Sequence, residues 1–243
     1  MKPVLKHIFQ LKRTYEKLPF FDFLRDDELS TRERLAFFPC MASFIMSFGD
    51  LNRLVLRSEP TDDPWLKMIN AHTYEDDHHW PWYLEDYTKL GHDDTKQTPG
   101  DTLRFLYSDA TIQNRLLAHR LAHLVWGAEP VVRLAIIEAI EETGNILFAL
   151  TSKIAAQYQR ETGVELRYCG EFHFNLESGH AMNNDHAELA QITLDAIQQQ
   201  DALQRVDLVF EWFALWTHEL LAYANGSAQG APRTAQAEAE LTA

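Results

Sequence analysis

Two short stretches of the chain carry the same pattern of histidine and carboxylate side chains. They are His72, Asp76 and His79 in the first stretch and His173, Glu177 and His180 in the second. Offsets of zero, four and seven residues fall at about 0°, 40° and −20° around an α-helix axis. Each stretch is therefore predicted to be one helix that presents two imidazoles and a carboxylate along a single stripe.

The residue types in both stretches are those of a non-haem iron site. From 11 histidines and 36 acidic residues among 243, chance predicts about 0.07 copies of the pattern, whereas two are present. Two histidines and one carboxylate hold Fe(II) in oxygenases and leave positions open for dioxygen. The Asp76–His79 and Glu177–His180 pairs also have the i, i+3 spacing of di-iron helix bundles. Two facing helices would then hold two metal ions.

A pair of metal ions also needs a bridging carboxylate, which a third helix can supply. The segment 136–148, IIEAIEETGNILF, contains Glu138, Glu141 and Glu142 among large apolar residues. At least one of these glutamates should face inward, where a carboxylate is costly unless it is paired or bound to a metal. The residues themselves leave the choice among the three open.

A charge count favours an anionic substrate. Two Fe(II) ions bring four positive charges, and Asp76, Glu177 and one bridging glutamate bring three negative charges. A substrate carboxylate would neutralise the remaining positive charge in a poorly hydrated cavity. An amino-acid-like or fatty-acid-like anion is therefore expected.

A simpler interpretation of the first stretch remains open. Acidic runs on helices usually form solvated faces, so Glu75, Asp76 and Asp77 could be one, with His78 and His79 a polar patch beside it. The aromatic residues near both stretches are expected to be mainly core packing; they are Trp80, Trp82, Tyr83, Phe148, Phe172 and Phe174.

Apolar residues recur at helical spacing through most of the chain, and alternating strand-like runs are scarce. This periodicity predicts an all-α, single-domain bundle of about seven helices over residues 1–225, with a flexible C-terminal tail over 226–243. Pro81 predicts a kink or a junction between two helices. The expected helical segments are approximately 4–15, 31–56, 65–90, 102–126, 130–161, 166–199 and 203–224.

The amino-acid composition argues against several classes of function. The formal net charge of −14 argues against a nucleic-acid or anionic-membrane partner. Two cysteines, Cys40 and Cys169, cannot staple a domain of this size, which favours a reducing, cytoplasmic location. No stretch is expected to have the length and apolarity of a membrane span. The assembly state stays open, with a homodimer as one option.

The helix order and the HxxxExxH pattern of His173, Glu177 and His180 resemble the haem-oxygenase-like diiron oxidases. That family includes the chlamydial CADD-like proteins and is related in fold to the thiaminase-like TenA proteins. The resemblance covers roughly residues 10–225 and implies a haem-oxygenase-like fold with two Fe(II)/Fe(III) ions, dioxygen as co-substrate and a separate electron donor.

The resemblance also implies a ligand set. His173, Glu177 and His180 would be ligands on the last metal-bearing helix, His79 on an earlier one and Glu141 on a middle one, with Glu138 or Glu142 if the register shifts. Many members have a glutamate where this chain has His72. Either His72 is the ligand, or Asp76 or Glu75 replaces it, or one metal site is weakened.

Members of this family oxidise small molecules, often amino acids or fatty acids. Their reactions include N-oxygenation, oxidative C–C cleavage and nitrile formation. The stretch HTYEDDHHWPWYLEDY is similar to that of cyanobacterial members, one of which forms a nitrile from a brominated tryptophan. An amino acid such as a tryptophan derivative, oxidised in specialised metabolism, is therefore the expected small-molecule substrate.

Three other functions are compatible with a helical bundle. A ferritin-like iron-oxidising protein would need a further inward glutamate, for which only Glu33, Glu211 or Glu219 is available. A metal-free helical binding protein would keep its stability and partners in the presence of a chelator. A TenA-like hydrolase would need Cys40 or Cys169 as an activated nucleophile in its cavity.

Overall fold

The structure is a computed structural model that describes residues 1–93, 98–182 and 185–228, without the side chains of 177–182, 185, 186, 227 and 228. Throughout these ranges every regular element is helical, which confirms the all-α prediction. The α-helices are α1 (Lys2–Tyr15), α2 (Pro19–Arg25), α3 (Thr31–Arg34), α4 (Ala42–Asp50), α5 (Pro64–Asp76), α6 (Trp80–Lys89), α7 (Pro99–Leu106), α8 (Ile112–Val125), α9 (Pro130–Thr162), α10 (Glu171–Met182), α11 (Asp185–Leu189) and α12 (Ala196–Ala228).

The described helices outnumber the seven predicted because several apolar stretches are broken. Short 3₁₀ turns at Phe38–Met41 and Asp109–Thr111 divide two of the predicted segments, and a π-helical stretch at Leu51–Leu56 continues α4. The predicted helix over 166–199 is wrong, since α10 begins only at Glu171 and α11 ends at Leu189. Helix α12 reaches Ala228, into the predicted tail, and residues 229–243 lie outside the described part.

Two helices of 33 residues, α9 and α12, pack against each other and form the centre of the fold. Helix α9 also packs on α1, α5 and α10, so it is buried on several sides. Its run from Ile136 to Ile140 is buried at every position, including Glu138. Helix α9 thus contacts both of the helices that carry the histidine stretches, α5 and α10.

One segment meets the length and apolarity criteria for a membrane span, contrary to the expectation that none would. It covers Thr31–Leu56, with a mean hydropathy of 1.3 and 61% of its most apolar window buried inside the protein. The segment is not one regular helix, because 3₁₀ and π turns interrupt it. Core helices of water-soluble proteins meet the same criteria, so the segment alone assigns no location.

Candidate metal centre

Three of the predicted ligands meet where α5 packs against α9. The Nε2 atom of His72 lies 3.1 Å from Oδ2 of Asp76 and 3.4 Å from Oε1 of Glu141. One potential ligand atom from each of the three lies within 4.8 Å of the others. Asp76 is 2% exposed, and its Oδ1 has no hydrogen-bond partner among the described residues. A buried carboxylate oxygen in this position is costly unless a cation approaches it.

The electrostatics of this cluster depend on its two carboxylates. Burial alone would lower the pKa of His72, but ion pairing and hydrogen bonding with Asp76 and then Glu141 raise that pKa well above its usual value. In the absence of a metal ion, the imidazolium therefore offsets one of the two negative charges. A divalent cation would have to displace this proton to reach Nε2.

A second pair of predicted ligands, His79 and His173, consists of two imidazoles in contact with each other. Nδ1 of His173 is 2.9 Å from the carbonyl oxygen of Tyr168, which can only accept a hydrogen bond. Nδ1 therefore donates to this carbonyl, and the hydrogen bond selects the tautomer that has its lone pair on Nε2. That Nε2 lies 3.1 Å from Nδ1 of His79. A backbone carbonyl that fixes the tautomer in this way is a common feature around metal-binding histidines.

The spacing of the two imidazoles is compatible with one shared ion. Two ligand atoms about 2.1 Å from a metal, at an angle of about 90–109°, lie about 3.0–3.4 Å apart. The distance between His173 Nε2 and His79 Nδ1, 3.1 Å, is within that range. Without a metal, the same geometry is a hydrogen bond from His79 Nδ1–H to His173 Nε2.

Both groups of residues face one cavity. Its wall includes Asp76 from α5, His79 from the α5–α6 junction, Glu141 from α9 and His173 from α10. The space between its walls is about 660 Å³, open solvent at the mouth included. His72 contacts Asp76 and Glu141 from behind and is not itself part of the wall.

The three candidate bridging glutamates have different environments. Glu141 faces the cavity, as the resemblance implies. Glu142 is 2% exposed and forms an ion pair with Lys12 of α1. Glu138 is 6% exposed and is not part of the cavity wall. Of the three, Glu141 is therefore the one positioned to reach an ion in the cavity.

The remaining two predicted ligands lie outside what the structure describes. Glu177 and His180 belong to α10, but their side chains are not among the described ones. The helix carries His173 in its first turn. The ligand roles of Glu177 and His180 therefore stay predictions.

The first stretch does not form the single helix predicted for it. Helix α5 ends at Asp76, and His79 is the N-cap residue of α6. The prediction of a junction at Pro81 is confirmed, because Pro81 lies in the first turn of α6. Asp77 and His79 nevertheless have backbone angles in the right-handed helical region.

The acidic run in this stretch is divided between solvent and the cavity. Glu75 is exposed, and the half-buried Asp77 accepts a hydrogen bond of 2.6 Å from Arg57. Asp76 and His79 are buried and face the cavity. The interpretation as a solvated face therefore applies to Glu75 and not to the two predicted ligands.

Two features that the sequence analysis missed hold the α5–α6 junction in place. The guanidinium of Arg57 donates to the carbonyl oxygen of Thr73 at 2.8 Å as well as to Asp77. On the other side, a Cβ atom at Gly49 would lie 2.7 Å from the carbonyl oxygen of Asp77. The absence of a side chain at Gly49 thus lets α4 approach the junction closely.

A buried carboxylate that the sequence analysis also missed holds the loop before α10. Asp86 is fully buried and accepts hydrogen bonds from the backbone N–H groups of Arg167, at 2.6 Å, and Cys169, at 2.9 Å. Burial raises the pKa of Asp86, and the backbone hydrogen bonds partly offset that effect. Because Tyr168 lies between the two donors, Asp86 positions the carbonyl that orients His173.

We expect the substitution Asp86→Ala to lower the free energy of unfolding by about 3 kcal/mol, because two buried N–H groups lose their acceptor. Chemical denaturation measures the change. The matched control is Glu85→Ala, which removes an exposed carboxylate paired with Lys89 and should change stability by less than about 0.5 kcal/mol. Equal effects of the two variants would contradict the role given to Asp86.

The aromatic residues near the stretches do more than fill the core. Trp82 stacks on the imidazole of His79 with ring centroids 4.6 Å apart, and Phe148 lies 4.2 Å from His173 by the same measure. Phe148 and Trp80 are part of the cavity wall. Tyr83, in contrast, is fully buried and packs as predicted for a core residue. Aromatic rings thus pack directly on two of the candidate ligands, His79 and His173.

The residues that the alternative functions would need have other structural roles or lie outside the cavity wall. Glu33 caps α3 together with Ser30, Glu219 caps α8, and Glu211 is exposed. Neither cysteine is part of the cavity wall. Burial and the neighbouring Asp86 raise the pKa of Cys169 well above its usual value, which disfavours a thiolate nucleophile.

No known protein-family model matches the chain, and no curated protein is similar to it in sequence.

Proposed function

We propose that the protein is a non-haem diiron oxidase or oxygenase of haem-oxygenase-like fold, which uses dioxygen to oxidise a small substrate. The observation that carries the proposal is the convergence of Asp76, His79, Glu141 and His173 on one cavity. These residues come from two separate stretches and from a third helix, as the ligand pattern requires. Glu177 and His180 are included in the proposed ligand set only because of the sequence pattern.

The donor set suits two ions of this kind. The carboxylates of Asp76 and Glu141 lie beside His72, and the imidazoles of His79 and His173 lie beside each other on the wall of the same cavity. Histidine nitrogen and carboxylate oxygen are both ligands that iron accepts. The buried Oδ1 of Asp76 and the lone pair of His173 Nε2 are positions that a cation would stabilise. A pair of iron ions, when bound, supplies dioxygen binding and electron transfer.

Other residues of the chain would orient the metal ligands and keep water away from them. Tyr168 and Asp86 hold His173 in one tautomer, and Trp82 holds the ring of His79. Glu141 is the carboxylate placed to bridge, since it lies between α5 and α10. Rings such as Phe148 keep bulk water away from reactive groups.

The substrate would be anionic with an apolar body, such as a tryptophan-like amino acid. None of the described residues in the cavity wall is a lysine or an arginine. The metal ions themselves would supply the neutralising charge. Most of the remaining wall is apolar and fits a hydrocarbon or aryl group.

The test is anaerobic titration with Fe(II), followed by exposure to dioxygen in a stopped-flow spectrometer with and without candidate amino acids. We expect about two iron ions per chain and an absorbance change that depends on the amino acid. Comparison of an amino acid with its methyl ester tests the carboxylate requirement. Absence of iron binding would contradict the proposal. Oxidation of the bound iron at a rate that no organic co-substrate changes would also contradict it and would favour a ferritin-like function.

Metal binding should also release a proton from His72. Because the pKa of His72 is raised in the metal-free protein, its imidazole is protonated at neutral pH and must lose that proton to become a ligand. The apparent affinity for a divalent cation should therefore rise with pH, about tenfold per pH unit for one displaced proton, until the pKa of His72 is passed. Calorimetric titration in buffers of different ionisation enthalpy counts the proton. Zero release would place His72 outside the ligand set.

A further inference from the structure

Three aromatic side chains are part of the cavity wall, and we refer to Phe44, Phe213 and Trp216 as the aromatic wall. Their ring centroids lie 5.5 Å apart for Phe44 and Trp216, 5.7 Å for Phe213 and Trp216, and 5.6 Å for Phe44 and Phe213. All three pairs are edge-to-face, and each side chain is buried. Such packing leaves each ring little freedom to rotate.

Trp216 is also held from behind by a polar side chain. Its indole N–H donates a hydrogen bond of 2.6 Å to Oδ1 of Asn114 on α8. Asn114 is fully buried, so this bond forms away from water. The orientation of the indole ring in the cavity is therefore set by a hydrogen bond as well as by packing.

Asn114 is in turn oriented by Glu219, one turn after Trp216 on α12. Nδ2 of Asn114 donates to Oε1 of Glu219 at 2.8 Å. The same carboxylate accepts from the backbone N–H groups of Gln113, at 2.7 Å, and Asn114, at 2.9 Å, at the start of α8. Because a carboxylate only accepts, the NH₂ group of Asn114 must face Glu219 and its oxygen must face the indole.

We propose that Trp216, oriented by Asn114 and Glu219, is the specificity-determining residue of the cavity and limits the size of the apolar group that fits there beside the candidate metal ligands. A buried tryptophan needs only apolar surroundings and one acceptor. Here the acceptor is fixed by a capping carboxylate, so the ring cannot move aside for a larger ligand. The proposal rests on the proposed function only in taking this cavity as the substrate site.

The experiment compares two probes that share a head group, benzyl alcohol and 2-naphthalenemethanol, in calorimetric titrations of the metal-free chain. We expect wild-type protein to bind benzyl alcohol more tightly. Trp216→Phe removes one ring and should raise the affinity for the naphthyl probe relative to the benzyl probe by about tenfold. Trp216→Leu provides a second test should the phenylalanine variant fold poorly.

The matched control is Trp212→Phe, the same substitution one turn earlier on α12. Trp212 is half-buried, lies beside Arg120 and is not part of the cavity wall. This control should leave the ratio of the two affinities unchanged. Asn114→Ala, which frees the indole without removing it, should weaken the discrimination between the probes.

Two results would overturn the proposal: an affinity ratio in Trp216→Phe equal to that of wild type, or a wild-type chain that binds neither probe. Its failure is distinguishable from failure of the diiron proposal. Iron content is measured separately, and it should be the same in wild type, Trp216→Phe and Trp212→Phe. A changed probe ratio in a chain that binds no iron would support the aromatic wall and contradict the diiron centre.

Discussion

Glu141→Ala is expected to reduce bound Fe(II) from about two ions per chain to one or fewer, with the affinity of the weaker site lowered more than about 100-fold. Glu141 is the only one of the three glutamates in the segment 136–148 that faces the cavity. Its Oε1 lies 3.4 Å from His72 Nε2, so its loss leaves His72 and Asp76 without their third partner. Equilibrium dialysis followed by metal analysis measures the stoichiometry.

The neighbouring residue provides the matched control. Glu142→Ala removes a carboxylate of equal charge from the next position of α9, but that side chain pairs with Lys12 and faces away from the cavity. It should leave the iron content unchanged and lower the free energy of unfolding by about 1–2 kcal/mol, because a partly exposed lysine loses its buried partner. Stability and stoichiometry are thus expected to change in different variants.

The opposite pattern would require a different centre. If Glu142→Ala lost iron and Glu141→Ala retained it, the metal would lie on the α1 side of α9 and not in the described cavity. If neither lost iron, the ions would be held without Glu141 by the remaining candidate ligands on α5, at the α5–α6 junction and on α10. Either outcome contradicts a bridging role for Glu141.

The spacing of the first stretch correctly predicted that Asp76 and His79 face the same site. The single helix on which that prediction was based is not present. The offsets of zero, four and seven assume one helix, whereas α5 stops at Asp76 because Pro81 has no N–H to donate to the carbonyl oxygen of Asp77. His79 still faces the cavity, although it lies three residues beyond the end of α5.

The register of α9 could not be predicted from periodicity. Apolar side chains surround the glutamates on all sides, because α9 packs against several helices at once. A helix buried all round has no amphipathic face to indicate which carboxylate points where. The distinction between Glu141 and Glu142 depends on Lys12, which lies 130 residues away in the chain.

The error over residues 166–199 has a similar cause. Apolar spacing in that stretch is compatible with a helix, but the buried carboxylate of Asp86 binds the backbone of Arg167 and Cys169 and keeps it in a non-helical loop. Backbone N–H groups that bond to a remote side chain cannot bond within a helix. Partners 81 and 83 residues apart leave no local signal in the sequence.

The same loop leads to the second large effect: Gly170→Ala is expected to lower the free energy of unfolding by about 3 kcal/mol or more. A Cβ atom at Gly170 would lie 2.0 Å from the carbonyl oxygen of Leu166, a backbone atom that the hydrogen bonds to Asp86 prevent from moving freely. Gly170 also accepts the hydrogen bond from Phe174 N–H that begins α10. Displacement of this residue should therefore disturb the helix that carries His173.

Urea denaturation and iron stoichiometry together test this expectation. The matched control is Gly100→Ala in the first turn of α7, where a Cβ atom would meet nothing closer than 3.6 Å. Since alanine favours helix more than glycine does, that variant should be as stable as wild type or slightly more stable. Gly170→Ala should be less stable and should bind iron more weakly, because His173 loses its fixed position. A Gly170→Ala protein with wild-type stability would show that the loop relaxes easily, and the positioning of His173 by Asp86 and Tyr168 would then have to be abandoned.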